Sequence, residues 1–234
     1  MIHAFFAERS SSKIPEASRA KPRKLETLGV VGGGTMGAGI TVAALDCGLP
    51  VTMIERDAES IARGRANVEK VYDRLVAKGR KTLDQKAAVM ALYAGSTDYR
   101  DLSKVDMVIE AVFERLDVKR EVFKKLDKVT KPDAVLASNT SYIDIDLISS
   151  ATSRPDQVIG LHFFSPANIM KLLEIVVPKG AADDVVATGF ALAKRMRKVP
   201  VRAGNSGGFI GNRILGKYGA CAAHMMEDGA SPYD

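Results

Sequence analysis

At 234 residues the chain has room for one large domain, or one domain and part of a second, with a core to match, which excludes a disulfide-stapled miniprotein. Hydrophobic residues at 46% and charged residues at 26% are globular proportions and exclude a chain that is mostly disordered. Lys and Arg outnumber Asp and Glu by 34 to 28, and the net +6 favours an anionic partner without naming one.

Nucleic acid is not the expected partner, because the chain has no dense basic block, only 6% aromatic residues and no RNP-like or zinc-finger spacing. Cys47 and Cys221 both lie in apolar sequence far from one another and read as reduced core thiols, which points to a reducing compartment. No apolar run approaches the roughly 20 residues of a membrane span, and the N-terminus has no signal-peptide pattern. A cytoplasmic location is therefore expected.

The pattern opens with a short helix around Ile2, Phe5 and Phe6, followed by a Ser-, Lys- and Pro-rich linker to residue 24. A linker at the start points to a piece cut from a longer polypeptide. From Leu25 an apolar strand runs into glycines, then a small-residue helix ends at Gly48, and a second strand, PVTMIE, ends on Glu55. Helical spacing of Ile61, Val68, Val71 and Leu75 predicts a helix over 57–81, with a second over 83–92. VDMVIEAV, residues 105–112, is the uninterrupted run of a strand covered on both faces. Helix 117–128, strand 134–137, helix 144–149 and strand 157–161 continue the alternation, then the strand in LLEIVV, a helix over 183–196 and a last strand from Lys198. The expected fold is α/β, a Rossmann-like, doubly wound, mostly parallel sheet. From Gly207 a helix apolar on nearly all sides begins, and the chain stops before supplying it with partners.

Gly32, Gly34 and Gly37 form G-x-G-x-x-G between the first strand and its helix, with Gly33 and Gly39 permitting further close approach. The pattern provides a tight turn, a pyrophosphate at a helix N-terminus and a small residue where helix meets strand. Glu55, 18 residues after Gly37 at a strand end, would accept hydrogen bonds from the adenosine ribose and disfavour a 2′-phosphate. Together they favour NAD over a structural turn beside a surface glutamate, although Arg56 next door is a residue that accommodates NADP.

The chain has three histidines, so candidates for a general base at neutral pH are few. His3 lies in the terminal tail and His224 in the last helix, leaving His162 at the end of the strand in VIGLHFFSP, where it is either a base or a core or surface histidine. Glu174, in the apolar strand LLEIV, is costly there unless it has a partner; paired with an imidazole it would fix the tautomer and raise basicity. Ser141 in SNTSY can hold a substrate oxygen or cap the next helix, and Asn212 in GFIGNR can cap its helix or point into the cleft. Lys119, Lys70 and Arg63 read as solvated helix charges, with phosphate or CoA contact as the alternative.

In order, GVVGGGTMGAGI, DMVIEAVFE, LASNTS, GLHFFSP, LLEIV and GFIGNR resemble the motifs of 3-hydroxyacyl-CoA dehydrogenases, from about Leu25 to the end. The resemblance implies NAD-dependent oxidation of an L-3-hydroxyacyl-CoA to the 3-ketoacyl-CoA, with His162 as base, Glu174 as its partner, and Ser141 and Asn212 holding the substrate oxygen. The implied cofactor set is Gly32, Gly34, Thr35, Met36, Gly37, Glu55, Val112, Glu114, Lys119, Ser141 and Ser165, with no metal. Ser165 departs from the asparagine of many members, and HFFSP is similar to the peroxisomal multifunctional type. AFFAERSSSKIP resembles the connector of multifunctional fatty-acid oxidation proteins, which implies an enoyl-CoA hydratase domain upstream. The implied division is a connector at 1–24, an NAD-binding domain at 25–206 and, at 207–234, the first helix of a truncated all-helical domain. Two other functions stay open: a crystallin-like relative that binds NAD without turnover, and an NADP-linked 3-hydroxybutyryl-CoA dehydrogenase. The apolar residues of 209–226 point to self-association.

Overall fold

The computed structural model describes residues 2–11, 13–231 and 233. Two helices come first, α1 (Ile2–Ser11) and α2 (Pro15–Arg19), followed by β1 (Leu28–Val31), α3 (Thr35–Leu45), β2 (Val51–Ile54), α4 (Ala58–Ala77), α5 (Leu83–Met90) and β3 (Tyr93–Ser96). The second half holds β4 (Met107–Glu110), α6 (Leu116–Val129), β5 (Val135–Ser138), α7 (Ile145–Ser149), β6 (Val158–Phe163), β7 (Leu172–Val177), α8 (Asp183–Arg195), β8 (Val199–Gly204) and α9 (Gly211–Glu227).

The eight strands form one sheet in the order β3-β2-β1-β4-β5-β6-β7-β8. Six run parallel, while β7 pairs antiparallel with β6 and β8 runs parallel to β7. The chain winds outward from β1 in both directions, so a crevice opens beyond the carboxyl ends of β1 and β4, where such sheets take their ligands. Neighbouring residues of a strand point to opposite faces, and the two faces hold separate cores. Met107 and Ile109 of β4 pack beneath α3, α4 and α8, whereas Val108 packs with Val122, Phe123 and Leu126 of α6 and with Ile145 and Ile148 of α7. That double coverage is why the strand reads as an unbroken apolar run.

The sheet is mostly parallel as expected, with one reversal, and four details differ from expectation. The strand β3 carries only Tyr93 as a buried residue, so YAGS has no apolar alternation to announce it. The sheet reverses at β7, because the short segment between β6 and β7 holds no crossover helix and returns as an antiparallel neighbour. The segment expected as linker is folded against the domain. Ile14 and Glu16 are buried, Arg202 donates to Glu16 at 2.8 Å, and the Arg23 guanidinium reaches Asp184 at 2.7 Å, the Asp133 carbonyl and Gln157. Helix α9 is amphipathic rather than apolar all round, with Ile214, Leu215, Tyr218, Met225 and Met226 on one side, Arg213, Lys217, His224 and Glu227 on the other, and no buried residue. Cys221 is accordingly exposed on α9 and Cys47 only half-buried, so neither is a core thiol.

Candidate functional site

The glycine turn is fixed by contacts that admit no side chain. Gly32 has φ +101, and a Cβ there would lie 2.7 Å from the Ala111 carbonyl. A Cβ on Gly37 would lie 1.8 Å from the Gly32 carbonyl, so α3 leaves the turn at the closest possible approach. Gly34 is different: a Cβ there would meet nothing within 4 Å, so packing does not require a glycine. Gly34 is also the N-cap of α3 and supplies no side-chain cap, whereas Asp57 caps α4 and a Thr82/Gln85 capping box closes the start of α5. The first amides of α3 are thus left with open space before them, which suits an anion.

A cleft of about 750 Å³ opens there, lined by Gly32, Gly34, Thr35, Met36, Glu55, Val112 and Phe113 among others. The Glu55 carboxylate stands at its rim, accepting the Gly33 amide at 2.7 Å and the Arg56 amide at 3.2 Å. Arg63 is paired with Glu59 and Lys70 is exposed on α4, as expected of solvated charges, while Arg56 is paired with Asp57. The turn, the uncapped helix and the acid at the end of β2 fit a dinucleotide with an unphosphorylated ribose.

Lys119 contradicts its solvated-charge reading. It is 1% exposed on α6, with Nζ 2.7 Å from Glu110 Oε1 and 3.3 Å from Glu114 Oε2. Glu114 in turn accepts the Thr140 hydroxyl and the amides of Ser141 at 2.7 Å and Tyr142 at 3.2 Å. Burial alone would raise the Glu114 carboxyl, but these donors and the Lys119 ammonium hold it below the ordinary range. Val112 and Glu114 lie in the loop after β4, and Ser165 is exposed in the loop after β6.

His162 and Glu174 face each other in register across β6 and β7, and His162 Nδ1 lies 2.7 Å from Glu174 Oε2 with both residues buried. The rings of Phe164 at 4.5 Å and Phe209 at 5.6 Å pack tilted against the imidazole and help keep water from the pair. The second carboxylate oxygen, Oε1, accepts the amides of Ile210 at 3.0 Å and Gly211 at 2.8 Å, where α9 begins. Burial pushes the Glu174 carboxyl up, yet the His162 hydrogen bond and these amides outweigh it and leave the carboxylate favoured.

Ser141 does not cap α7; Asp144 does, accepting the Asp146 amide at 2.8 Å. Asn212 is in the first turn of α9, whose N-cap is Ile210. Both are tied to the pair through neighbours. Asn139 accepts the Phe163 amide at 2.9 Å, which fixes the Ser141 loop to the end of β6, and Gly211, beside Asn212, is held by Glu174. Tyr142 and Asn212 line one pocket of about 350 Å³. Sequence reasoning passed over three residues of the site, Glu110, Asn139 and Phe209. Glu110 carries the same signal as Glu174, a carboxylate inside an apolar strand, whereas Asn139 and Phe209 carry none.

The fold and the cleft define a dinucleotide-binding α/β domain. The sequence pattern of "3-hydroxyacyl-CoA dehydrogenase, NAD binding domain" matches residues 27–206, and the chain belongs to that family. It is 42% identical over 228 residues to a peroxisomal fatty acid beta-oxidation multifunctional protein of Arabidopsis thaliana, covering 97% of this chain and 32% of the relative. It is 40% identical over 238 residues to a peroxisomal bifunctional enzyme of Cavia porcellus, covering 99% and 32%. The chain thus spans about a third of the length of these curated relatives. Among solved structures, (S)-3-hydroxybutyryl-CoA dehydrogenase from Ralstonia eutropha superposes with a TM-score of 0.86 at 38% identity, over 90% of this chain and 75% of that one. The family is NAD-binding, and no helix among the described residues is long and apolar enough to cross a membrane.

Proposed function

We propose that this chain is the NAD-binding and base-bearing part of an enzyme that oxidises L-3-hydroxyacyl-CoA to 3-ketoacyl-CoA. The buried His162–Glu174 pair carries the proposal. Glu174 engages Nδ1, so the imidazole presents Nε2 as the free nitrogen, and Nε2 removes the hydroxyl proton of the substrate. Glu174, held as carboxylate, stabilises the imidazolium that forms, and Ser141 and Asn212 bind the substrate oxygen. When bound, NAD supplies the acceptor for the hydride that leaves C3. Gly32, Gly34, Thr35, Met36 and Gly37 hold its pyrophosphate, Glu55 its adenosine ribose, and Val112, Glu114, Lys119, Ser141 and Ser165 its nicotinamide half.

Glu55 is held by the Gly33 amide, which supports NAD over NADP. Residues 1–24 serve as a connector from an enoyl-CoA hydratase domain in a longer parent, 25–206 as the cofactor domain and 207–234 as the start of a helical domain. The relatives' peroxisomal names support a peroxisomal location over the cytoplasmic one expected from the sequence. The test is NADH formation from NAD and a 3-hydroxyacyl-CoA, alongside calorimetric NAD titration of the same sample. Turnover supports the proposal. NAD binding without turnover, persisting when a C-terminal helical segment is restored, overturns it in favour of a non-catalytic relative.

A further inference from the structure

Glu110 is the last residue of β4 and is fully buried at the crevice floor, in register with Val31 of β1 and Ser138 of β5. A carboxylate there is costly unless every lone pair that faces protein finds a donor. It finds three. Oε1 accepts the Val112 amide at 2.8 Å and the Lys119 ammonium at 2.7 Å, and Oε2 accepts the Ser138 hydroxyl at 2.7 Å. Lys119 has three protons, and two of its acceptors are Glu110 and Glu114. Glu114 then carries the linkage to the Ser141 and Tyr142 amides. One acid thus ties together the loop after β4, which lines the cleft through Val112 and Phe113, the buried ammonium of α6 and the loop after β5.

We infer that Glu110 is a positioning residue for cofactor binding, acting through Lys119: it fixes the ammonium, and through it Glu114 and the Ser141 loop, in the arrangement that receives the nicotinamide half of NAD. The inference rests on the placement of Lys119 in the cofactor site proposed above. Glu110 itself touches no ligand.

The test is a double-mutant cycle on the 234-residue chain, with NAD affinity by calorimetry and thermal melting on each variant. Glu110→Gln, which keeps shape and removes the charge, is expected to weaken NAD about tenfold while still melting cooperatively. Lys119→Met is expected to weaken it to a similar degree, and the double variant to bind within about twofold of Lys119→Met alone, because the acid acts only through the ammonium. Losses that multiply in the double variant, or a Glu110→Gln chain that binds like the parent, overturn the inference. If Glu110→Gln does not fold, Glu110→Asp carries the test, since the shorter carboxylate cannot reach Lys119, Val112 and Ser138 together; parental NAD affinity there overturns it as well. A parent chain that fails to bind NAD sinks the cofactor reading instead, before any variant is compared.

Discussion

His162 and Glu174 lie opposite one another on the antiparallel β6–β7 pair, and the carboxylate that holds the imidazole at 2.7 Å also holds the first amides of α9. In an antiparallel pair directly opposed side chains lie on the same face, which brings two residues twelve apart in sequence to hydrogen-bonding distance. The reversal of the sheet at β7 is therefore what builds the pair. Because both oxygens of Glu174 are used, the ring orientation and the seat of the helix bearing Asn212 depend on one side chain.

Replacing His162 by Gln removes the proposed proton acceptor and leaves the cleft at β1 untouched. Turnover of a chain carrying the C-terminal helical segment is expected to fall by roughly 10²–10⁴. NAD affinity is expected to stay within about twofold of the parent. Loss of NAD binding in the variant, measured by calorimetry, would count against the assignment.

Two glycines of the same turn are expected to behave differently. In Gly37→Ala the new Cβ would sit 1.8 Å from the Gly32 carbonyl, so the start of α3 must move and the melting temperature should drop sharply. In Gly34→Ala the Cβ meets no protein atom within 4 Å, so stability should hold while the methyl intrudes where the pyrophosphate would lie. Gly34→Ala with undiminished NAD affinity would show that the anion does not sit against this turn.

Arg23 joins the N-terminal segment to Asp184 of α8, to the Asp133 carbonyl and to Gln157. Its loss strands two partly buried acceptors, on Asp184 and Gln157, at once. Arg23→Ala is expected to cost about 1–3 kcal/mol. A urea midpoint equal to that of the parent would mean that residues 13–24 only lie alongside the domain.

Much of this organisation is legible in the sequence, because the parallel strands and their helices carry strong periodic patterns and the glycine turn carries a spacing that only a few contacts permit. Glu174 could be singled out as a carboxylate in an apolar strand. The same reasoning applied to VDMVIEAV would have found Glu110, and with it the buried state of Lys119, which a charged helix such as α6 hides among Arg120, Lys124 and Lys125. The strand β3 was not legible, since only Tyr93 of its four residues is buried. Nor was the packing of residues 13–24, whose Ser-, Lys- and Pro-rich composition conceals that Ile14, Glu16 and Arg23 are anchored by residues distant in sequence.

Acid should weaken the fold. The Arg23 hydrogen bond holds the Asp184 carboxyl below its ordinary value; at Glu174 burial acts the other way, but the His162 hydrogen bond and the backbone amides prevail, and at Glu114 the Thr140 hydroxyl and Lys119 do the same. The unfolded chain binds more protons than the folded one in that range, so stability rises with pH there. The contribution is complete above the unfolded carboxyl values of about 4 and is lost as pH falls through the lower folded values. Melting temperatures across the acid range should show this decline, and Asp184→Asn should flatten part of it. An Asp184→Asn chain whose acid decline equals that of the parent would show that the Arg23 pair does not contribute.

Helix α9 presents Ile214, Leu215, Tyr218, Met225 and Met226 to solvent along one side, and none of its residues is buried. Its start is held by Glu174, which accepts the Ile210 and Gly211 amides. An apolar stripe of this length on a 17-residue helix lowers its free energy by finding a partner, and for the chain in isolation the available partner is a second copy. Light scattering is expected to give a dimer, and Leu215→Glu with Met225→Glu to return it to monomer without altering NAD affinity, since neither residue lines the cleft at β1. A monodisperse monomer of the unaltered chain at high concentration would exclude association through this face.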